Sequence, residues 1–169
     1  EAEREKVYNE FIDRAGEGRL DIDIRCVIAD REDAYGLERA RAAQLPAFHE
    51  RDNDRIYAIL REHGARYVTV TGGEPLAQPG CLTLLRLLCD AGFEVSLETS
   101  GALTVQGVDV RVSKVLDLKT PASGEAGRND YTNVALLTPH DQVKFVVCNR
   151  GDYEWARLKI DELRLSLIH

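Results

Sequence analysis

Apolar residues recur along this chain with two periods, and the switches between them mark its elements. Four runs read as strands: the β-branched run Arg66 to Thr71, then Phe93 to Thr99, Lys114 to Lys119 and Asp141 to Cys148. The first stops at Gly72-Gly73 and the third at Thr120-Pro121. Between the first two, Leu82, Leu84, Leu85, Leu87, Leu88 and Cys89 predict a largely buried helix over Cys81 to Ala91, ended by Gly92. Asp152 reads as the cap of a last helix through Trp155, Leu158, Ile160 and Leu163. Residues 122–133, rich in Gly, Ser, Asn and charge, read as a mobile loop. Strand, helix, strand, strand, strand, helix with short connections predicts parallel α/β organisation.

Ahead of residue 64 the pattern is less regular. Glu1 to Arg14 can form a helix with Val7, Phe11 and Ile12 on one face. Asp21 to Ala29 begins with polar/apolar alternation and reads as a strand. Arg31 to Gln44 is helix-like and breaks before Pro46. Asp52 or Asn53 caps a helix running to about Glu62, with Ile56, Ile59 and Leu60 as its buried stripe and His63-Gly64 as its end.

Composition narrows the function classes. The chain has 169 residues, 44% of them hydrophobic and 30% charged, which suits a single globular domain or a large piece of one. A net charge of −7 argues against a protein held mainly by nucleic-acid phosphates. No apolar run reaches the length of a membrane span, and no secretory signal is visible, so a cytoplasmic protein without direct nucleic-acid or membrane partners is expected. Cys26, Cys81, Cys89 and Cys148 have no close spacing and read as reduced thiols. With no methionine, even at position 1, the chain is expected to be a processed product, an edited sequence or a fragment.

In a parallel sheet, ligands bind beyond the C-terminal ends of the strands. Three such ends carry polar residues. At Thr71-Gly-Gly-Glu-Pro75 two glycines let a ligand approach the backbone, and Glu74 offers a carboxylate to an ammonium. A tight strand-to-helix turn is the plainer account of Gly-Gly alone, but not of the whole pentapeptide. Glu98-Thr-Ser-Gly101 could bond a ribose or a carboxylate; in isolation a solvated turn explains it better. Asp117 and Lys119, two apart on one strand face, would in isolation be a surface ion pair. Their recurrence at successive strand ends lets them converge on one site. His49, His63, His140 and His169 have no metal-ligand spacing, and Trp155 reads as core. No Gly-x-Ser-x-Gly, P-loop or Gly-x-Gly-x-x-Gly occurs.

From about Ala58 to Trp155 the chain resembles the 7-carboxy-7-deazaguanine synthase family of radical S-adenosylmethionine (SAM) enzymes. The carrying residues are Tyr67-Val-Thr-Val-Thr-Gly-Gly-Glu-Pro-Leu-Ala-Gln78, Glu98-Thr-Ser-Gly101, Val112-Ser-Lys-Val-Leu-Asp-Leu-Lys-Thr-Pro121 and Asp141-Gln-Val-Lys-Phe145. The resemblance implies an α/β fold, a partial parallel (β/α) barrel of radical SAM type, incomplete or altered at both ends. Residues 1–57 would be an atypical N-terminal segment and residues 58–169 the core, truncated at its C-terminus. It implies a carbon–nitrogen lyase of queuosine biosynthesis that rearranges the pterin 6-carboxy-5,6,7,8-tetrahydropterin to 7-carboxy-7-deazaguanine. Its cofactors would be SAM, a [4Fe-4S] cluster and Mg2+, and a homodimer would be ordinary. Thr71 matches a substrate-binding position and Gly73 a cofactor-binding one, while Gly72, Glu74, Ser100, Asp117 and Lys119 are expected to line the cofactor cleft.

The family's cluster loop has three cysteines in a Cys-x3-Cys-x2-Cys type arrangement ahead of Gly-Gly-Glu-Pro. Here only Cys26 lies upstream, and no residue is assigned to a metal. Three thiolates are needed because the fourth iron stays open for the cofactor. The chain is therefore expected to be catalytically impaired. The alternative is a non-catalytic fragment or binding module that keeps a degenerate nucleoside pocket.

Overall fold

The computed structural model describes residues 14, 15 and 17–165. The helix expected over Glu1 to Arg14 thus lies almost wholly outside the described residues. The chain divides into two compact units, one of Glu1–Val68 with Asp90–Phe93, the other of Thr69–Cys89 with Glu94–His169.

In the first unit, β1 (Val27–Ala29) pairs in parallel with β2 (Ala47–His49), Val27 opposite Ala47 and Ala29 opposite His49. The crossover between them carries α1 (Tyr35–Ala42), which buries Leu37 and Ala40. The strand expected over Asp21 to Ala29 shrinks to its last three residues, because only these find a partner. Helix α2 (Asn53–Glu62) starts where expected: the Asp52 side chain accepts from Arg55 N at 3.0 Å. Gly64 ends it at φ +66°, a conformation that glycine adopts without penalty.

A four-stranded sheet follows, in the order β3 (Tyr67–Val70), β4 (Glu94–Thr99), β5 (Ser113–Asp117), β6 (Gln142–Lys144). β4 runs parallel to β5, with Ser96 opposite Ser113, and β5 parallel to β6, with Asp117 opposite Lys144. This open parallel sheet, with α3 (Cys81–Asp90) crossing from β3 to β4 and α4 (Arg150–Glu162) after β6, is part of a β/α barrel.

Alternation sorts the faces. Val95, Leu97, Leu116 and Leu118 are buried, and Leu85, Leu88 and Cys89 of α3 are buried with them. Each such leucine contributes roughly 1.5–3 kcal/mol on leaving water. Val105, Leu116 and Leu118 form a core cluster against which Tyr131, Val134, Val143 and Phe145 pack. The opposite face carries Ser96, Glu98, Val115, Asp117 and Lys144, all only partly buried.

Two expectations are corrected. The cap of α4 is Asn149, whose side chain accepts from Asp152 N at 3.0 Å; Asp152 sits in the first turn. The stretch expected to be a mobile loop is built from three 3-10 turns, Pro121–Ser123, Ala126–Arg128 and Tyr131–Leu136. Asn133, fully buried, fastens it: it accepts from Val105 N at 2.9 Å and donates to Gly101 O at 3.2 Å and Leu103 O at 3.0 Å.

Candidate functional site

The strand ends meet on one rim. Ser96 Oγ donates to Thr69 Oγ1 at 3.0 Å, and further along the same strands Glu74 reaches the end of β4, so β3 and β4 run in the same direction. Since β4, β5 and β6 are parallel, Thr71, Gly72, Gly73, Glu74, Ser100, Asp117 and Lys119 all lie at C-terminal strand ends.

Glu74 is the fastener of this rim. Its carboxylate accepts from Leu76 N at 3.1 Å, from Thr99 Oγ1 at 2.9 and 3.0 Å, from Ser100 N at 2.9 Å and from Ser100 Oγ. The offered ammonium receptor is therefore a carboxylate already filled by its own chain, with the two polar strand ends knotted through it. Pro75, buried, opens the short 3-10 turn Pro75–Ala77 that Glu74 caps. Ahead of it, Gly72 and Gly73 are exposed. Gly72 stands at φ +143°, and a methyl group there would meet nothing within 4 Å, so the backbone is bare on that side. Thr71 is half-buried.

On β5 the Lys119 Nζ pairs with Asp117 Oδ2 at 2.5 Å, the two side chains being 16% and 14% exposed. Asp117 Oδ1 is the one buried side-chain oxygen or nitrogen among the described residues without a hydrogen-bond partner. A buried acceptor left open costs about 1–3 kcal/mol, so this atom is a ready place for an incoming N–H. Three residues of this region escaped the sequence reading. Lys144 Nζ pairs with Glu98 Oε2 at 3.1 Å, from β6 across β5. The alternation of Gln142 and Lys144 with Val143 was the signal for it. Asn129 grips the Lys119 backbone, accepting from its N–H at 2.9 Å and donating to its carbonyl at 2.9 Å, as a neighbouring strand would. Asp152 bonds the segments after β5 and β6.

The thiols do not gather at this rim. Cys81 and Cys89 are buried on α3, eight residues apart, a rise of about 12 Å. Burial, and then the Glu74 charge, pushes the Cys81 thiol up to about 11, which keeps it protonated. Cys148 is exposed, and Cys26 belongs to the other unit, where burial raises its pKa. No group of three His, Cys, Asp or Glu among the described residues is arranged to hold a metal ion. A shallow cleft of about 290 Å3, lined by Arg61, Gly64, Arg66, Gly92 and Phe93 among others, lies where the chain enters β3 and β4, the ends a parallel sheet does not use for ligands.

Comparison with known proteins gives the same direction. The family model described as the Radical SAM superfamily matches residues 32–166. A 7-carboxy-7-deazaguanine synthase of Koribacter versatilis is 46% identical over 136 residues, 79% of this chain and 56% of that relative. Proteins of the same name from Chlorobaculum tepidum and Clostridium acetobutylicum are 46% and 35% identical, over 62% and 66% of this chain and 49% and 52% of their own lengths. The chain spans about half the length of the curated relatives it matches.

Proposed function

Because this chain belongs to the radical SAM superfamily, we infer that its rim of strand ends is a binding site for SAM. The observation that carries this reading is the Glu74 knot, which holds the glycine turn, with Gly72 open to a ligand, beside the polar end of β4. The exposed Gly72-Gly73 backbone receives the methionine end of the ligand, and Ser100 and Glu98 lie beside it for a ribose. The open Asp117 Oδ1, with Lys119 on its sister oxygen, accepts an N–H from the ligand. The rim residues therefore fit SAM.

The names of the relatives extend the reading to 7-carboxy-7-deazaguanine synthesis; the resemblance adds a pterin substrate, 6-carboxy-5,6,7,8-tetrahydropterin, whose ring would contract with loss of ammonia, and assigns Thr71 to its side of the site. The residues do not fit the [4Fe-4S] cluster that the family implies. Two of the four thiols are fixed in the core on one helix, and three thiols of this chain do not come together. This chain alone therefore binds SAM without cleaving it. That same arrangement of thiols favours the second reading, a non-catalytic nucleoside-binding module.

Calorimetric titration with S-adenosylhomocysteine tests the first claim. Binding by the parent and none by Gly73→Val supports the rim site; equal heats from both reduce the glycines to a turn. Anaerobic iron–sulfur reconstitution separates the two functions. Stoichiometric iron and sulfide, lost when the cysteines are changed to serine, overturns the module; no retained iron favours it.

A further inference from the structure

The carboxylate of Asp152 does something that helix capping does not explain. It stands on the third residue of α4, where an acidic side chain ordinarily turns back toward the cap. Here it turns away. Oδ1 accepts from Ala122 N at 3.0 Å and Oδ2 from Cys148 N at 3.0 Å. Ala122 lies just beyond β5 and Lys119, and Cys148 just beyond β6 and Lys144. One carboxylate thus ties together the two segments that leave adjacent strands on the ligand side of the sheet.

The anchor is hidden and the segments are not: Asp152 is 1% exposed, whereas Ala122 and Cys148 are exposed. Burial works against the charge, but the bonds from the amides of Ala122 and Cys148 hold the carboxyl below its ordinary range. The group is therefore an anion with both oxygens filled by backbone donors, the strong kind of hydrogen bond. Thr120 has one hydroxyl hydrogen to give and stands 2.8 Å from Val146 O, a second tie across the same two segments. Leu118 N donates to Lys144 O at 2.9 Å and makes a third.

We propose that Asp152 is a positioning residue of the ligand site: it fixes the segment that carries Lys119 against the segment that follows Lys144, so that both strand ends meet a ligand in one geometry. This rests on the rim being the SAM site. Asp152→Asn keeps the shape but points an amide N–H at one of the two backbone donors, which opens one arm of the clamp.

Two readouts on the full chain decide it. Amide hydrogen exchange at Ala122 and Cys148 is expected to speed up about tenfold or more in Asp152→Asn. Affinity for S-adenosylhomocysteine is expected to fall about tenfold, equivalent to ~1.4 kcal/mol. Leu85→Val weakens the same unit from the core of α3 and is expected to change neither. Unchanged exchange at both amides overturns the proposal, as does an equal loss of affinity in Asp152→Asn and Leu85→Val. If Asp152→Asn does not fold, Thr120→Val removes the parallel tie to Val146 and carries the same expectations. A parent chain that takes up no S-adenosylhomocysteine overturns the SAM reading of the rim instead, and the exchange measurement then decides the clamp by itself.

Discussion

Gly101 shows how little room a single residue has at this rim. Its φ is +69°, and a methyl group added there would stand 2.9 Å from Leu116 Cδ1 and 3.3 Å from Leu116 Cγ. Both the backbone and the space forbid a side chain, so Gly101→Ala is expected to destabilise the chain by about 2 kcal/mol, measured by urea unfolding. Glu74 is a second such point. Glu74→Ala strands the hydroxyls of Thr99 and Ser100 and the Ser100 amide; a loss of about 2 kcal/mol is expected in the same assay, together with loss of S-adenosylhomocysteine binding. Asp141 is the third. It accepts from Lys114 N at 2.6 Å and Thr138 N at 2.7 Å, and pairs with the buried Lys114 Nζ at 2.9 Å. Burial alone would raise its pKa; the bonds from Lys114 and Thr138 outweigh that and leave it below the ordinary 3.8. The group binds its proton less readily folded than unfolded. Its contribution to stability is therefore full above the ordinary aspartate range and is lost as pH falls through the folded value. Urea midpoints measured from neutral pH down to about pH 3 are expected to fall below pH 4–5, and Asp141→Asn is expected to flatten that slope.

At the scale of elements, the sequence was most legible where period and cap agreed. Helix α3 reads plainly from its leucines, and α2 from Asp52 and Gly64. β2 was missed because Ala47-Phe-His49 is too short to show alternation; only pairing with β1 makes it a strand. The cap of α4 was misplaced because Asp152, a strong capping residue by type, is drawn to Ala122 and Cys148 while Asn149 caps beside it. The 3-10 segment after β5 read as mobile because Gly, Ser and Asn are turn formers. Composition does not reveal that Asn133 satisfies three backbone groups at once. Asn133→Ala leaves the buried Val105 amide open, while Gly101 O keeps its bond from Asp130 N at 2.9 Å, and about 1–3 kcal/mol is expected to go with it. Proteolysis of the folded chain should then begin within Tyr131–Leu136, and an unchanged cleavage pattern would contradict this account. Of the site, the glycine turn, Ser100 and the Asp117–Lys119 pair were visible in the sequence. Lys144, Asn129 and Asp152 were not, since each acts across strands or loops distant in the chain.

The molecule as a whole is a radical SAM superfamily chain, and its four thiols do not offer the three-thiolate set that a cluster needs. Anaerobic reconstitution is expected to leave no more bound iron than in a variant with all four cysteines changed to serine, measured by iron and sulfide assay. The order β3-β4-β5-β6 has a further consequence, for the time the chain takes to fold. Every parallel pair must close a loop before it gains a single ladder bond, and between β5 and β6 that loop is the whole 3-10 segment, with Val115 opposite Gln142. Closure entropy rises only slowly with length, but it is lost in full before the contacts repay it. Sheets of such high contact order fold in milliseconds to seconds rather than microseconds. Asn133, which draws this loop onto Val105 and Gly101, shortens the search for β6 and should be formed early; Asn133→Ala is then expected to slow refolding more than it speeds unfolding.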